Sequence, residues 1–95
     1  MQPFTSEQVQ ENLRKLKGWQ LVDGQITKEF KFDNFVIALN FVDRVGELAE
    51  RAAHHPDIDI RYNRVKLSLS THDAGGITSK DLDLAARSDM LGMDH

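Results

Sequence analysis

At Pro56 the apolar residues of this 95-residue chain change from a helical to an alternating repeat, and that change limits what the chain can fold into. Across residues 34–53, Phe35, Ala38, Leu39, Val42, Val45, Ala49 and Ala52 recur at helical spacing, with Ile37, Phe41 and Leu48 widening the stripe. Beyond Pro56 the period becomes two: Ile58, Ile60 and Tyr62 share one side, as do Val65, Leu67 and Leu69. A proline pushes the residue before it out of helical geometry, so Pro56 is expected to stop the helix near His54 and to extend His55. Two adjacent histidines thus mark a helix-to-strand junction. Asp33 is the expected N-cap of that long helix.

The flanking segments carry their own signals. Thr5 and Gln8 are spaced as a capping box, with Phe4 and Val9 as its hydrophobic staple, and Gly18 is expected to end this first helix. Residues 19–22 and 25–32 read as a hairpin around Asp23-Gly24, a favoured two-residue turn. Ile26, Phe30 and Phe32 share a face there. Lys28 falls on the same face, so its chain must snorkel to an edge or the register must differ. A second hairpin with Asn63-Arg64 as its loop would pair Tyr62 with Val65 and set His55 opposite His72. Gly75-Gly76 permits a tight turn, after which Thr78 and Asp81 are spaced to cap a last helix over residues 79–89, with Leu82, Ala85 and Ala86 inward.

Nothing in this order demands a parallel strand crossover. The expected fold is α+β: a four-stranded antiparallel sheet with helices packed on one face, in the order α-β-β-α-β-β-α. Residues 1–95 suit one domain, and a domain this small buries a limited core and often gains from self-association. A net charge of −3 opposes nucleic acid as a direct ligand. The absence of cysteine excludes disulfides, thiolate nucleophiles and thiolate zinc sites. With no signal-peptide pattern and no run of apolar residues long enough to span a bilayer, a cytoplasmic protein away from membranes is expected.

Histidine, with an unperturbed pKa of about 6.5, both gives and takes protons near neutrality, so His54, His55 and His72 together point to acid-base chemistry. Each alone is more often structural. Glu50, one turn before His54, is placed to hold its imidazole by hydrogen bonding, or equally to be a solvated surface acid. A metal site built from His54, His55, His72 and Asp73 is the rival, but adjacent residues point in different directions and the spacing argues against it. Asp81 has a sufficient structural role as a helix cap. Trp19 and the phenylalanines read as core.

From Glu50 the pattern runs Glu, three residues, His54-His55-Pro56, five residues, Tyr62, nine residues, His72, eight residues, Asp81. With Gly18-Trp19, the segment from Phe30 to Phe35, Tyr62-Asn63-Arg64-Val65 and the segment from Thr71 to Gly76, it resembles the pterin-4a-carbinolamine dehydratase family along nearly the whole chain. That resemblance implies dehydration of 4a-hydroxytetrahydropterin to quinonoid dihydropterin, with no metal and no coenzyme. It implies catalytic roles for His54, His55 and His72, a pterin-binding rim that adds Pro56, Thr71 and Asp73, and support from Glu50 and Asp81. It further implies the same antiparallel fold and a homodimer or homotetramer. In animals, relatives also act as dimerisation cofactors for a homeodomain transcription factor, which makes a protein-interaction module the alternative.

Overall fold

A computed structural model describes residues 2–93. The elements run α1 (Ser6–Leu13), β1 (Gln20–Val22), β2 (Gln25–Lys31), α2 (Phe35–Ala52), β3 (Asp57–Arg61), β4 (Arg64–Leu69), a 3₁₀ turn at His72–Ala74, and α3 (Ser79–Gly92). The expected order α-β-β-α-β-β-α is present. The strands form one antiparallel sheet in the order β1-β2-β4-β3, with the helices against one face. No helix among the described residues is long and apolar enough to cross a membrane.

Local chemistry explains most element ends. Thr5 and Gln8 form their capping box, and Asp23 and Gly24 both adopt positive φ in the two-residue turn that joins β1 to β2. Helix α1 is shorter than expected: it stops at Leu13, and four-residue turns, each closed by an amide bonded to the carbonyl three residues back, carry the chain past Gly18. The N-cap of α2 is Asn34, whose side chain accepts from the Ile37 amide, rather than Asp33. Either residue type caps well, so composition could not decide between neighbours.

The core is built from inward residues of β2 and β4, paired Ile26 with Leu69 and Phe30 with Val65, and covered by Ala38, Phe41 and Val45 of α2, with Ala49 of the same helix also buried. Phe41 lies 4.7 Å from Phe30 and 4.9 Å from Phe32, centroid to centroid, and Trp19 meets Phe30 edge-on. The buried face of α2 is therefore centred on Phe41; Phe35, Leu39 and Ala52, expected inward, are exposed. On α3 the buried residues are Asp81, Leu84, Ala85, Ser88 and Gly92, while Leu82 and Ala86 are half-buried. Lys28 does snorkel. Its Nζ donates to Asp89 at 2.8 Å and to the Lys17 carbonyl at 3.0 Å, passing over the Phe30 ring.

The second hairpin departs from expectation. Arg61 pairs with Arg64, so the loop is Tyr62-Asn63, with Tyr62 at φ 53°, and not Asn63-Arg64. The reason lies in the neighbouring strand. Phe32 and Asn63 exchange bonds, the Phe32 amide donating to the Asn63 carbonyl at 2.8 Å and the Asn63 side chain to the Phe32 carbonyl at 2.8 Å. This continues the ladder between β2 and β4 and moves the turn back by one residue. Pairing with β4 shifts by two, so every side chain keeps its face: Ile58 sits opposite Leu67 and Ile60 opposite Val65. Continued past Asp57 and Ser68, the same register sets His55 against Ser70, not His72.

Candidate active site

Helix α2 ends in a Schellman arrangement that aims His54. Ala53 takes left-handed φ 51°, its amide donates to the Glu50 carbonyl, and the His54 amide donates to the Ala49 carbonyl. Pro56 then prevents a return to helix. His54 is turned inward, 9% exposed, and His55 outward.

The other wall comes from the end of β4. Thr71 pairs with Gly76 in an isolated bridge, and Gly75 at φ 77° closes the loop with its amide on the Thr71 and His72 carbonyls. This tight closure turns Thr71 inward and leaves His72 and Asp73 exposed on the 3₁₀ turn. His54, His55, Thr71, His72, Asp73 and Lys80 thereby line one open cleft of about 260 Å³. The three histidines come together through this loop, and not as a cross-strand pair.

Asp81 sits beneath, 0% exposed. One carboxylate oxygen meets His54 Nε2 at 2.5 Å; the other accepts from the Thr71 hydroxyl at 2.8 Å and from the Thr78 amide at 2.9 Å. Thr78 and Thr71 hydroxyls are 2.8 Å apart. Asp81 does close the capping box of α3, as its spacing suggested, but the same carboxylate also grips an imidazole on another element. A buried carboxylate is tolerable only when it is hydrogen-bonded, and both oxygens of this one are. Because a carboxylate only accepts, Nε2 carries the hydrogen of this contact, and in the neutral ring that leaves Nδ1 as the acceptor.

Of the two readings of Glu50, a hydrogen bond to His54 or a solvated surface acid, the structure favours the second. Glu50 meets His55 Nε2, and both side chains are largely exposed, 77% and 63%. The left-handed residue between the two histidines and α2 breaks the one-turn-back geometry that would have put Glu50 beside His54. Pro56 is half-buried and is not among the residues lining the cleft; nor are Glu50 and Asp81. Lys80 and Ser70 line it without having been singled out. Lys80 carried a readable signal, a cation in the first turn of a helix, where the dipole disfavours it. Among the described residues no grouping of three or more His, Asp or Glu is placed to hold a metal ion.

A profile of the family described as Pterin 4 alpha carbinolamine dehydratase matches residues 2–91. A protein of Gloeobacter violaceus, provisionally named as a pterin-4-alpha-carbinolamine dehydratase, is 54% identical over 90% of this chain and 98% of its own. One from Sulfurisphaera tokodaii with the same provisional name is 45% identical over 96% and 98%. The crystal structure of a transcriptional coactivator/pterin dehydratase from Brucella melitensis superimposes with a TM-score of 0.91 at 37% identity, covering 95% of this chain and 98% of that one. The shared fold also appears in a pterin dehydratase-like protein described as a RuBisCO assembly factor, with a TM-score of 0.65 at 24% identity over 78% and 86%. The match spans almost the full length, site loops included, and the chain belongs to the pterin 4 alpha carbinolamine dehydratase family.

Proposed function

We propose that this chain is a hydro-lyase that converts 4a-hydroxytetrahydropterin to quinonoid dihydropterin and water, recycling the cofactor of a pterin-dependent hydroxylase. The reaction removes the N5 proton, forms the double bond between N5 and C4a, and breaks the C4a–O bond as the departing hydroxyl takes up a proton and leaves as water. One base and one acid suffice. His54 suits the base: Asp81 holds its tautomer so that Nδ1 is free to accept. His72, from a different element, suits the acid, and His55 steadies the ring, with Thr71 and Asp73 on the rim.

The observation that carries this reading is one cleft lined by three imidazoles, one of them anchored from below by a buried carboxylate. The family match supplies the substrate class. The test generates the 4a-hydroxytetrahydropterin in situ and follows its decay with wild-type protein. Acceleration lost on the order of 100-fold to 10,000-fold in His54→Ala and in His72→Ala supports the assignment. Turnover abolished by His55→Ala with binding intact, while His54→Ala retains it, would reverse the roles. Binding of a helical protein partner with no pterin turnover would favour an interaction module instead.

A further inference from the structure

The chain is acidic overall, with 15 Asp and Glu against 12 Lys and Arg, yet the lining of the groove between α2 and α3 has the opposite balance. The groove measures about 380 Å³, and its lining includes Arg51, Lys80 and Arg87, with Leu48 and Leu84 as apolar wall and Asp83 as the one acid. Asp83 is already matched by Arg87 at 3.2 Å. Among the described residues, the Arg51 guanidinium and the Lys80 ammonium meet no acid and no hydrogen-bond acceptor.

Solvated cations on helices need no special role, and Arg51 in the last turn of α2 is where the dipole favours a positive charge. Lys80 has no such reason. It occupies the first turn of α3, beside the Thr78 cap, where the helix end repels a cation. Lys80 also lines both depressions, the groove and the histidine cleft. Ala52 belongs to the groove and Ala53 to the cleft, so the two meet at the end of α2 as well. A ring seated among the histidines can extend a substituent past Lys80 toward the two arginines.

We propose that this groove is a subsite for an anion carried on the substrate's side chain, a phosphate or a carboxylate, with Lys80 at the junction and Arg51 and Arg87 beyond it. The proposal rests on the dehydratase reading and narrows its substrate to pterins with an anionic tail. Guanidinium groups match both anions in forked geometry. Contacts to exposed charges are individually weak, so together they favour an anionic over a neutral tail by on the order of tenfold.

Equilibrium binding tests this with three dihydropterins that differ only in the end of the side chain: hydroxyl, phosphomonoester or carboxylate. Either anionic ligand is expected to bind on the order of tenfold more tightly than the hydroxyl form at low salt, with the ratio falling as ionic strength rises. The better of the two identifies the anion. In the Arg51→Gln/Arg87→Gln double variant, checked for folding by circular dichroism, the ratio should approach one. Equal affinities in the wild type, or a preference that survives the double substitution, would overturn the subsite and leave the dehydratase reading standing. Failure to bind or turn over any pterin, neutral ones included, would overturn both.

Discussion

Two histidines adjacent in sequence each meet a carboxylate, and the two pairs have little else in common. His54 and Asp81 are buried and belong to a four-member network with Thr71 and Thr78. His55 and Glu50 face solvent, with neither partner held by a further group among the described side-chain bonds. Water screens the outer pair and competes for its hydrogen bonds, whereas burial largely keeps water from the inner pair. The comparison teaches that a carboxylate beside a histidine is not a role in itself. Burial and the number of satisfied lone pairs decide whether it fixes the ring.

The comparison breaks most sharply at Asp81. Asp81→Ala removes a helix cap and leaves the buried His54 N–H without its acceptor, so unfolding in urea is expected to show a loss of about 2–4 kcal/mol, with turnover falling alongside. Asp81→Asn keeps the cap and the shape; a urea midpoint near wild type with slowed decay of the 4a-hydroxytetrahydropterin would separate orientation of His54 from stability. Next comes His72→Ala, which should slow that decay on the order of 100-fold or more while leaving the urea midpoint nearly unchanged, since this ring is exposed. A much smaller loss reassigns His72 to binding. His55→Ala is expected to raise KM more than it lowers kcat. Glu50→Gln should be the mildest, under about 1 kcal/mol in stability and a modest rise in KM. If Glu50→Gln proved as damaging as Asp81→Asn, the contrast between the pairs would be wrong. Chelator treatment is expected to leave turnover unchanged, and activity lost to chelator and restored by a metal would revive the metal-site reading.

The features readable in advance are those decided within a few residues. Asp23-Gly24, the Thr5–Gln8 box and the Thr78–Asp81 box each complete their hydrogen bonds locally, and each formed as its spacing indicated. Lys28 was legible as a conflict, and the conflict resolved by reaching Asp89, sixty-one residues away. The hairpin between β3 and β4 was misread because alternation repeats every two residues, so a pairing shift of two leaves no trace in the apolar pattern. The long-range bonds between Phe32 and Asn63 chose the register. The rotated face of α2 has a similar origin. Its stripe is wide enough to bury in more than one orientation, and contact with Phe30 and Phe32 selected Phe41 as its centre.

β3 shows the same limit at the edge of the sheet. Ile58 and Ile60 alternate as core residues do and face the covered side, yet they are 36% and 38% exposed, for β3 is an edge strand while α2 packs against its neighbour β4. Alternation reports which face a side chain takes; whether that face is covered depends on where a helix lands.

By itself the sequence determined the order of elements, the caps of α1 and α3 and the Asp23-Gly24 turn, and it singled out His54, His55, Thr71, His72 and Asp73 of the cleft, because turns and caps are short-range and a proline restricts its neighbour directly. Tertiary structure alone decided that Asp81 rather than Glu50 holds His54, that His72 arrives on a 3₁₀ loop, and that Lys80 joins two depressions. Those outcomes depend on pairings between segments far apart in the chain, and the energy that selects among them comes from burial, which no local spacing records.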